Sequence, residues 1–439
     1  SLPLPQDSQN PADVGGPAGP EDSVTIDGSS GPPAVRLPLF DGLRALAATF
    51  VFVYHAWFLF HKPDCGLFPC SQDTGLIASA WRGAVVAFGA QGVAIFYVIS
   101  GFLLYRPFIR SRFERSESPR VGPYALRRAA RVVPAYWLAL LVIGTTVGSS
   151  TMHGAGDTLV NVFFLQIYSS RTLWSSPIMP AWTICVEVTF YAFLAIWAIS
   201  CRRLLGTGRR SLSLELPLLG LLAVFGFCWR LLVVQHGGIH DDFQPLLVAL
   251  PASFDAFAAG MALALVSVGW SDRSTTFLDW AASHAGICWA GAATMYGFMC
   301  WLIAYDGPIA ADWADRALIE GALKVVVAVL LVIPAVGLGS QGRLVAPFLR
   351  LRPVVWVGVV SYGLYLWHVA VLDQVKDWFG LSSQLGLGGF ILASAAAYLT
   401  TLGIAWLSWT VLERRAIGWA HRLPVGRGSA SVRAGAGDV

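Results

Sequence analysis

An all-α polytopic membrane protein of about ten transmembrane helices is what this sequence predicts, and three observations predict it. The chain of 439 residues is 56% hydrophobic and 13% charged, with a mean hydropathy of +0.61, which is too apolar for a water-soluble fold of this size. Ten apolar runs recur along it, each approaching the roughly 20 residues that a spanning helix needs. Inside a bilayer such runs fold as helices, because every backbone N–H and C=O must be satisfied within the segment. The basic residues, finally, fall on alternate loops.

Residues 1–37 are rich in Pro, Gly, Ser and acidic residues, contain no apolar segment, and read as a disordered tail without a signal peptide. The runs follow near 38–60, 84–105, 132–150, 181–200, 214–234, 246–268, 281–304, 318–338, 354–376 and 387–412. The third is short, and the apolar piece VNVFFLQIY at 160–168 reads as re-entrant or interfacial. An even number of spans puts both termini on one side. That side gathers Arg36, eight arginines from Arg106 to Arg131, four from Arg202 to Arg210, Arg273, three from Arg343 to Arg352, and five in the tail 413–439. The other side holds only Lys62, Arg82, Arg171, Arg316 and Lys376, while Arg44, Arg230 and Lys324 lie within spans. Lys and Arg concentrate on the cytoplasmic side of membrane proteins, so both termini are expected there, flanking a membrane domain at 38–412. The net charge of +4 is this topology signal and does not imply nucleic acid.

The seven cysteines show no metal-ligand spacing. Cys65 and Cys70, in the outer loop CGLFPC, are placed for a short disulfide in an oxidising compartment, and the other five read as packing residues. An internal repeat, a Walker loop, an HExxH motif and a Rossmann fingerprint are all missing, which disfavours nucleotide hydrolysis and zinc chemistry.

Function is expected where ionisable residues enter the bilayer, since such residues are costly there. Arg44 and His55 stand eleven positions apart in FDGLRALAATFVFVYHAWFLF. At about 100° and 1.5 Å per residue they share one helix face, roughly 16 Å apart. Counting depth from each span's start puts Arg44 near the cytoplasmic face and His55, Glu187, Arg230, Asp255 and His368 in the outer half, on five different spans. A shared polar cavity explains that layer with less desolvation than five separate burials. Taken singly, Arg230 reads as neutralising Asp255 or Glu187, and His368 as a hydrogen-bonded core residue. On the opposite side, the loop starting at Arg106 carries eight arginines and no lysine, ending in RRAAR with Arg127, Arg128 and Arg131. Planar guanidinium groups suit phosphate oxygens, although a plain positive-inside signal would also place them there.

Six elements then occur in a fixed order: LPLFDGLRALAA with an Arg, ten intervening residues and a His; GVAIFYVISGFLLYR; RRAARVVPAYW; PAWTICVEVTFY; DAFAAGMALA; and SYGLYLWH. With them the chain resembles the acyltransferase-3 family of integral membrane acyltransferases from about residue 36 to 415. The resemblance implies transfer of an acyl group, often acetyl, from cytoplasmic acyl-CoA to a hydroxyl of a sugar, polysaccharide, glycolipid or small molecule. It implies roles for Arg44 and His55, for Arg106, for Arg127, Arg128 and Arg131, for Glu187, and for Tyr365, Trp367 and His368. Departures are WTICVEVTFYAFLA, where the family often has WSLxxE and a later proline, Val-Ala-Val after His368, and Arg-Arg after Glu413. The short polar tail fits a membrane-only form with no appended hydrolase-like domain.

The expected chemistry is attack of an alcohol on a thioester, with His55 as general base. Glu187, or failing that Asp255, would fix its tautomer. The arginines Arg44, Arg106, Arg127, Arg128 and Arg131 would hold CoA phosphates, and Tyr97, Ser100, Tyr365 and Trp367 are all chemically able to serve as oxyanion donor. The expected setting is a multi-pass protein of the cell (plasma or inner) membrane acting on a cell-envelope carbohydrate or glycolipid. A secondary transporter gathers similar residues, but commonly with repeats and broken helices in matching halves.

Overall fold

The computed structural model describes residues 38–60, 76–146, 154–236, 244–269, 275–304, 313–337, 345–381 and 385–423. Among these residues the regular structure is entirely helical. The long helices are α1 (Pro38–Phe60), α2 (Leu76–Phe113) and α3 (Val121–Thr145), then, after the short α4 (Ala155–Val162) and α5 (Ser170–Leu173), α6 (Trp182–Leu205) and α7 (Arg209–Gln235). Next come α8 (Gln244–Val248), α9 (Phe254–Gly269), α10 (Thr275–Ser283), α11 (Ala285–Ala304) and α12 (Trp313–Val336). Last are α13 (Val345–Leu349), α14 (Arg352–Trp378), α15 (Leu387–Ser408) and α16 (Arg414–Arg422).

Nine helices among the described residues are long and apolar enough to cross a membrane, one fewer than the ten runs read from the sequence. The missing one is the third. Helix α3 begins well before the expected run, its first half carries Arg127, Arg128 and Arg131, and from Val132 to Thr145 its apolar part falls short of the roughly 20 residues of a span. The run expected at 281–304 breaks at His284, a turn between α10 and α11. The last run, in contrast, extends to Arg422 through a π-helical turn at Trp409–Glu413. Buried Glu413 accepts a hydrogen bond there from Ser408 Oγ at 3.1 Å, across the i, i+5 spacing of a π turn. The piece at 160–168 is no span: it ends α4 and continues as a 3₁₀ turn at Gln166–Tyr168. Cys65 and Cys70 lie outside the described residues.

Four helices make the centre. Helix α1 packs between α2 and α14, and α2 also packs along α9. In the most apolar stretch of α2, 72% of residues are buried, against 28% in α7 and 28% in the last span, which therefore belong to the periphery. Glycine permits the close crossings. A Cβ on Gly260 would stand 2.1 Å from the Val98 carbonyl oxygen, and one on Gly101 would stand 2.4 Å from that of Phe257, so α2 and α9 touch backbone to backbone in both directions. Gly358 brings α14 equally close to the Asp41 carbonyl of α1.

Small residues at such crossings supply the van der Waals packing that holds membrane helices together. Gly260→Ala is therefore expected to force α2 and α9 apart and destabilise the protein by about 1–3 kcal/mol. Gly220→Ala, where an added Cβ meets open space, is expected to be neutral or slightly stabilising. Thermal unfolding of the two variants in detergent checks the contrast.

Candidate active site

Arg44 and His55 of α1 face two different cavities. Arg44 lines one of about 70 Å³ together with Arg131 of α3, Ser100 of α2, Glu187 of α6 and Ser361 of α14. His55 lines a larger one of about 360 Å³ together with Tyr54, Trp174, Trp182, Arg230, Asp255, Glu320 and Lys324. Eleven residues of helix separate the two by about 16 Å. Val93, Tyr97 and Tyr365 border both cavities and form a waist between them. That waist is tied to the start of α6, where Tyr365 donates to the Pro180 carbonyl at 3.1 Å and its hydroxyl lies 2.6 Å from Thr183 Oγ1.

Hydrogen bonding fixes the proton positions on His55. Its Nδ1 lies 2.9 Å from the Val51 carbonyl oxygen, one turn back on α1. His368 Nδ1 lies 2.8 Å from the Tyr365 carbonyl oxygen on α14. A carbonyl oxygen only accepts, so each Nδ1 carries the proton of its neutral imidazole. His368 Nε2 is then a lone pair, and it stands 3.1 Å from His55 Nδ1, where it shares that N–H with Val51. His55 Nε2 is left as the basic nitrogen of the pair. Both rings are buried, at 8% and 1% exposure, and Phe52 packs within 6.3 Å of His368.

Two charges of the larger cavity are paired with each other. Arg230 of α7 donates to Asp255 Oδ2 at 2.5 Å and to the Ala252 carbonyl at 2.6 Å. Gly321 lies flat against the guanidinium, where a Cβ would come within 3.2 Å of Nε. Glu320 and Lys324, at i and i+4 on α12, add one charge of each sign to the same wall. Aromatic rings with paired charges at one wall suit a polyhydroxylated ligand.

Of the residues singled out in the sequence, His55, His368, Arg230 and Asp255 are brought together. Glu187 is not among them: it accepts from Ser100 Oγ at 2.9 Å and shares the smaller cavity with Arg44 and Arg131. Depth counting assumed that α6 starts at the membrane surface. In the structure Trp174, Met179 and Pro180, before α6, already line the larger cavity, and Glu187, farther along α6, lines the smaller one. The tautomer of His55 is accordingly set by a backbone carbonyl and a second imidazole, with no carboxylate. The basic set divides as well. Arg131 joins Arg44, Arg128 lines a separate groove, Arg106 sits over the Phe102 ring at 5.9 Å, and Arg127 lines neither cavity. Three of the four expected oxyanion donors have partners: Ser100 gives to Glu187, Tyr365 to α6, and Tyr97 to the Thr183 carbonyl at 3.5 Å.

Glu320 escaped the sequence reading, although an acid and a base four residues apart inside an apolar run were a visible signal. So did Glu215, fully buried in α7, which takes Arg112, Tyr105 and Trp197 as partners. Arg112 had been counted only as part of the basic loop.

An acyltransferase-3 family model, described as an acyltransferase domain, matches residues 38–410. The chain is 26% identical over 402 residues to nodulation protein 10 of Rhizobium leguminosarum bv. viciae, covering 86% of this chain and 92% of that protein. It is 29% identical over 346 residues to the exopolysaccharide production protein ExoZ of Rhizobium meliloti, covering 77% and 93%. It is 23% identical over 394 residues to the peptidoglycan O-acetyltransferase OatA of Listeria monocytogenes, covering 86% of this chain and 55% of that longer protein. No solved structure matches the chain.

The tautomer assignment has a direct spectroscopic consequence. With ¹⁵N-histidine labelling, His55 is expected to show a protonated Nδ1 and an unprotonated Nε2 at neutral pH, and the Nε2–H tautomer would contradict the network described above.

Proposed function

The chain belongs to the acyltransferase-3 family, and on that premise we propose that it moves an acyl group, an acetyl in the first instance, from acyl-CoA to a hydroxyl of a carbohydrate or glycolipid of the cell envelope. The observation that carries the reading is the pair of cavities joined at one waist, with arginines on one side and a base of fixed tautomer on the other. The donor enters from the cytoplasmic side. Arg44 and Arg131 engage its phosphate oxygens, and the thin pantetheine arm passes Val93, Tyr97 and Tyr365 to bring the thioester to His55. A reach of about 16 Å along α1 suits that arm.

The acceptor lies in the larger cavity. Trp174 and Trp182 offer faces for a sugar ring, and the charged groups of Arg230, Asp255, Glu320 and Lys324 offer donors and acceptors for its hydroxyls. As the acceptor oxygen attacks the thioester carbonyl, His55 Nε2 takes the hydroxyl proton. The imidazolium so formed keeps its Nδ1–H directed to Val51 and to the lone pair of His368, which stabilises the added charge. Collapse of the tetrahedral intermediate breaks the C–S bond, and the same proton goes to the departing thiolate. The products are the ester and free CoA. His368 is a positioning residue here, because it acts through His55. The names of the three relatives, which speak of nodulation, peptidoglycan O-acetylation and exopolysaccharide production, support an envelope saccharide as acceptor.

Detergent-purified protein is to be incubated with radiolabelled acetyl-CoA and an envelope extract of its host, beside His55→Ala. Label is expected in a carbohydrate or glycolipid fraction with the native protein, and the variant is expected to lose about 10²–10⁴-fold in transfer rate while still binding CoA. Undiminished transfer by His55→Ala would remove it as the base. Absence of both transfer and CoA binding in the native protein would remove the donor.

A further inference from the structure

Outside both cavities, α3 and α6 stand apart along their facing sides and leave a groove of about 470 Å³ between them. Its α6 wall runs from Val188 to Ile199, about 16 Å of helix, and both walls are almost wholly apolar. Three polar side chains interrupt the lining: Tyr191 on α6, and Tyr124 and Arg128, one turn apart on α3. Tyr124 is 7% exposed. Its hydroxyl and the Arg128 Nε are both buried, and neither has a hydrogen-bond partner among the described residues.

Two orphaned donors in an apolar trough are costly unless something supplies acceptor oxygens. We propose that the groove binds an anionic phospholipid, with one acyl chain lying along α6 and the phosphate accepting from Arg128 and Tyr124. Charge complementarity favours this occupant over a neutral lipid. Glu187, the nearby carboxylate, lines the adjoining cavity and not the groove, so Arg128 faces the phosphate without a competing anion on the groove wall. Basic pockets between membrane helices are a recurrent way of holding anionic headgroups. Val132 and Tyr191 border both this groove and the Arg44 cavity, which makes the bound lipid a neighbour of that cavity's wall. The inference does not depend on the proposed reaction.

Native mass spectrometry of the full chain in mild detergent tests it, titrating phosphatidylglycerol and, in a separate arm, phosphatidylcholine. One phosphatidylglycerol is expected to bind at least tenfold more tightly than phosphatidylcholine. Arg128→Gln is expected to weaken it about tenfold, the loss of one charge-assisted hydrogen bond. Tyr124→Phe is expected to weaken it several-fold, and Ala192→Trp, which fills the trough from the α6 side, to lower occupancy with the charge intact. Thermal midpoints in lipid-free detergent identify variants that have lost the fold. Equal binding of the two lipids, or unchanged affinity in a folded Arg128→Gln, would overturn the proposal. So would displacement of the phosphatidylglycerol by palmitoyl-CoA, which would give the groove to a donor chain.

Discussion

Desolvation of ionisable groups inside the bilayer is the constraint on which the rest of this structure depends. A charge in that setting is costly without a partner, and a neutral imidazole is costly unless its N–H is satisfied. Arg230 meets the requirement with Asp255 and a carbonyl, Arg112 with Glu215, and Arg44 with Asp41 at 3.5 Å. The first two pairs join different helices and so fix which faces meet, whereas Asp41 and Arg44 stand three residues apart on α1. The histidines meet it differently. Each donates Nδ1–H to a carbonyl of its own helix, and the contact between them points one basic nitrogen away from the pair.

That arrangement explains why backbone contact at Gly260, Gly101 and Gly358 matters to chemistry as well as to packing. Helix α1 carries both Arg44 and His55, α14 carries His368, and α2 carries two thirds of the waist in Val93 and Tyr97. A shift of α2 against α9, or of α14 against α1, would move the members of the site relative to one another. The proposed path of the donor, from arginine to histidine past three side chains, therefore rests on helix crossings set by glycine.

Composition and periodicity made the helical membrane class legible, together with most spans, because apolar length alone determines them. The Arg44 and His55 pair was legible from spacing on one helix. What lay beyond the sequence was any quantity that needs the relative height of two helices. Glu187, expected in one layer with His55, lines the neighbouring cavity with Arg44 and Arg131, because counting along one helix does not give its register against another. Among the described residues the third span is short for a different reason: Val132 to Thr145 is apolar, but Arg127, Arg128 and Arg131 belong to the same helix and shorten its apolar part. The direct contact of His55 with His368, 313 positions apart in sequence, is set by the packing of α1 on α14. No local pattern could show it.

The central claim is that binding of the donor's phosphates and acyl transfer are separated along α1. Kinetics with a truncated donor test it most directly, comparing acetyl-CoA with S-acetyl-pantetheine, which lacks the phosphates, in the native protein, in Arg44→Gln/Arg131→Gln and in His55→Gln. The double arginine variant is expected to lose about tenfold to a hundredfold in kcat/KM with acetyl-CoA but to match the native protein with the truncated donor, while His55→Gln is expected to be inactive with both. An equal loss with both donors in the arginine variant, or retained turnover in His55→Gln, would contradict it.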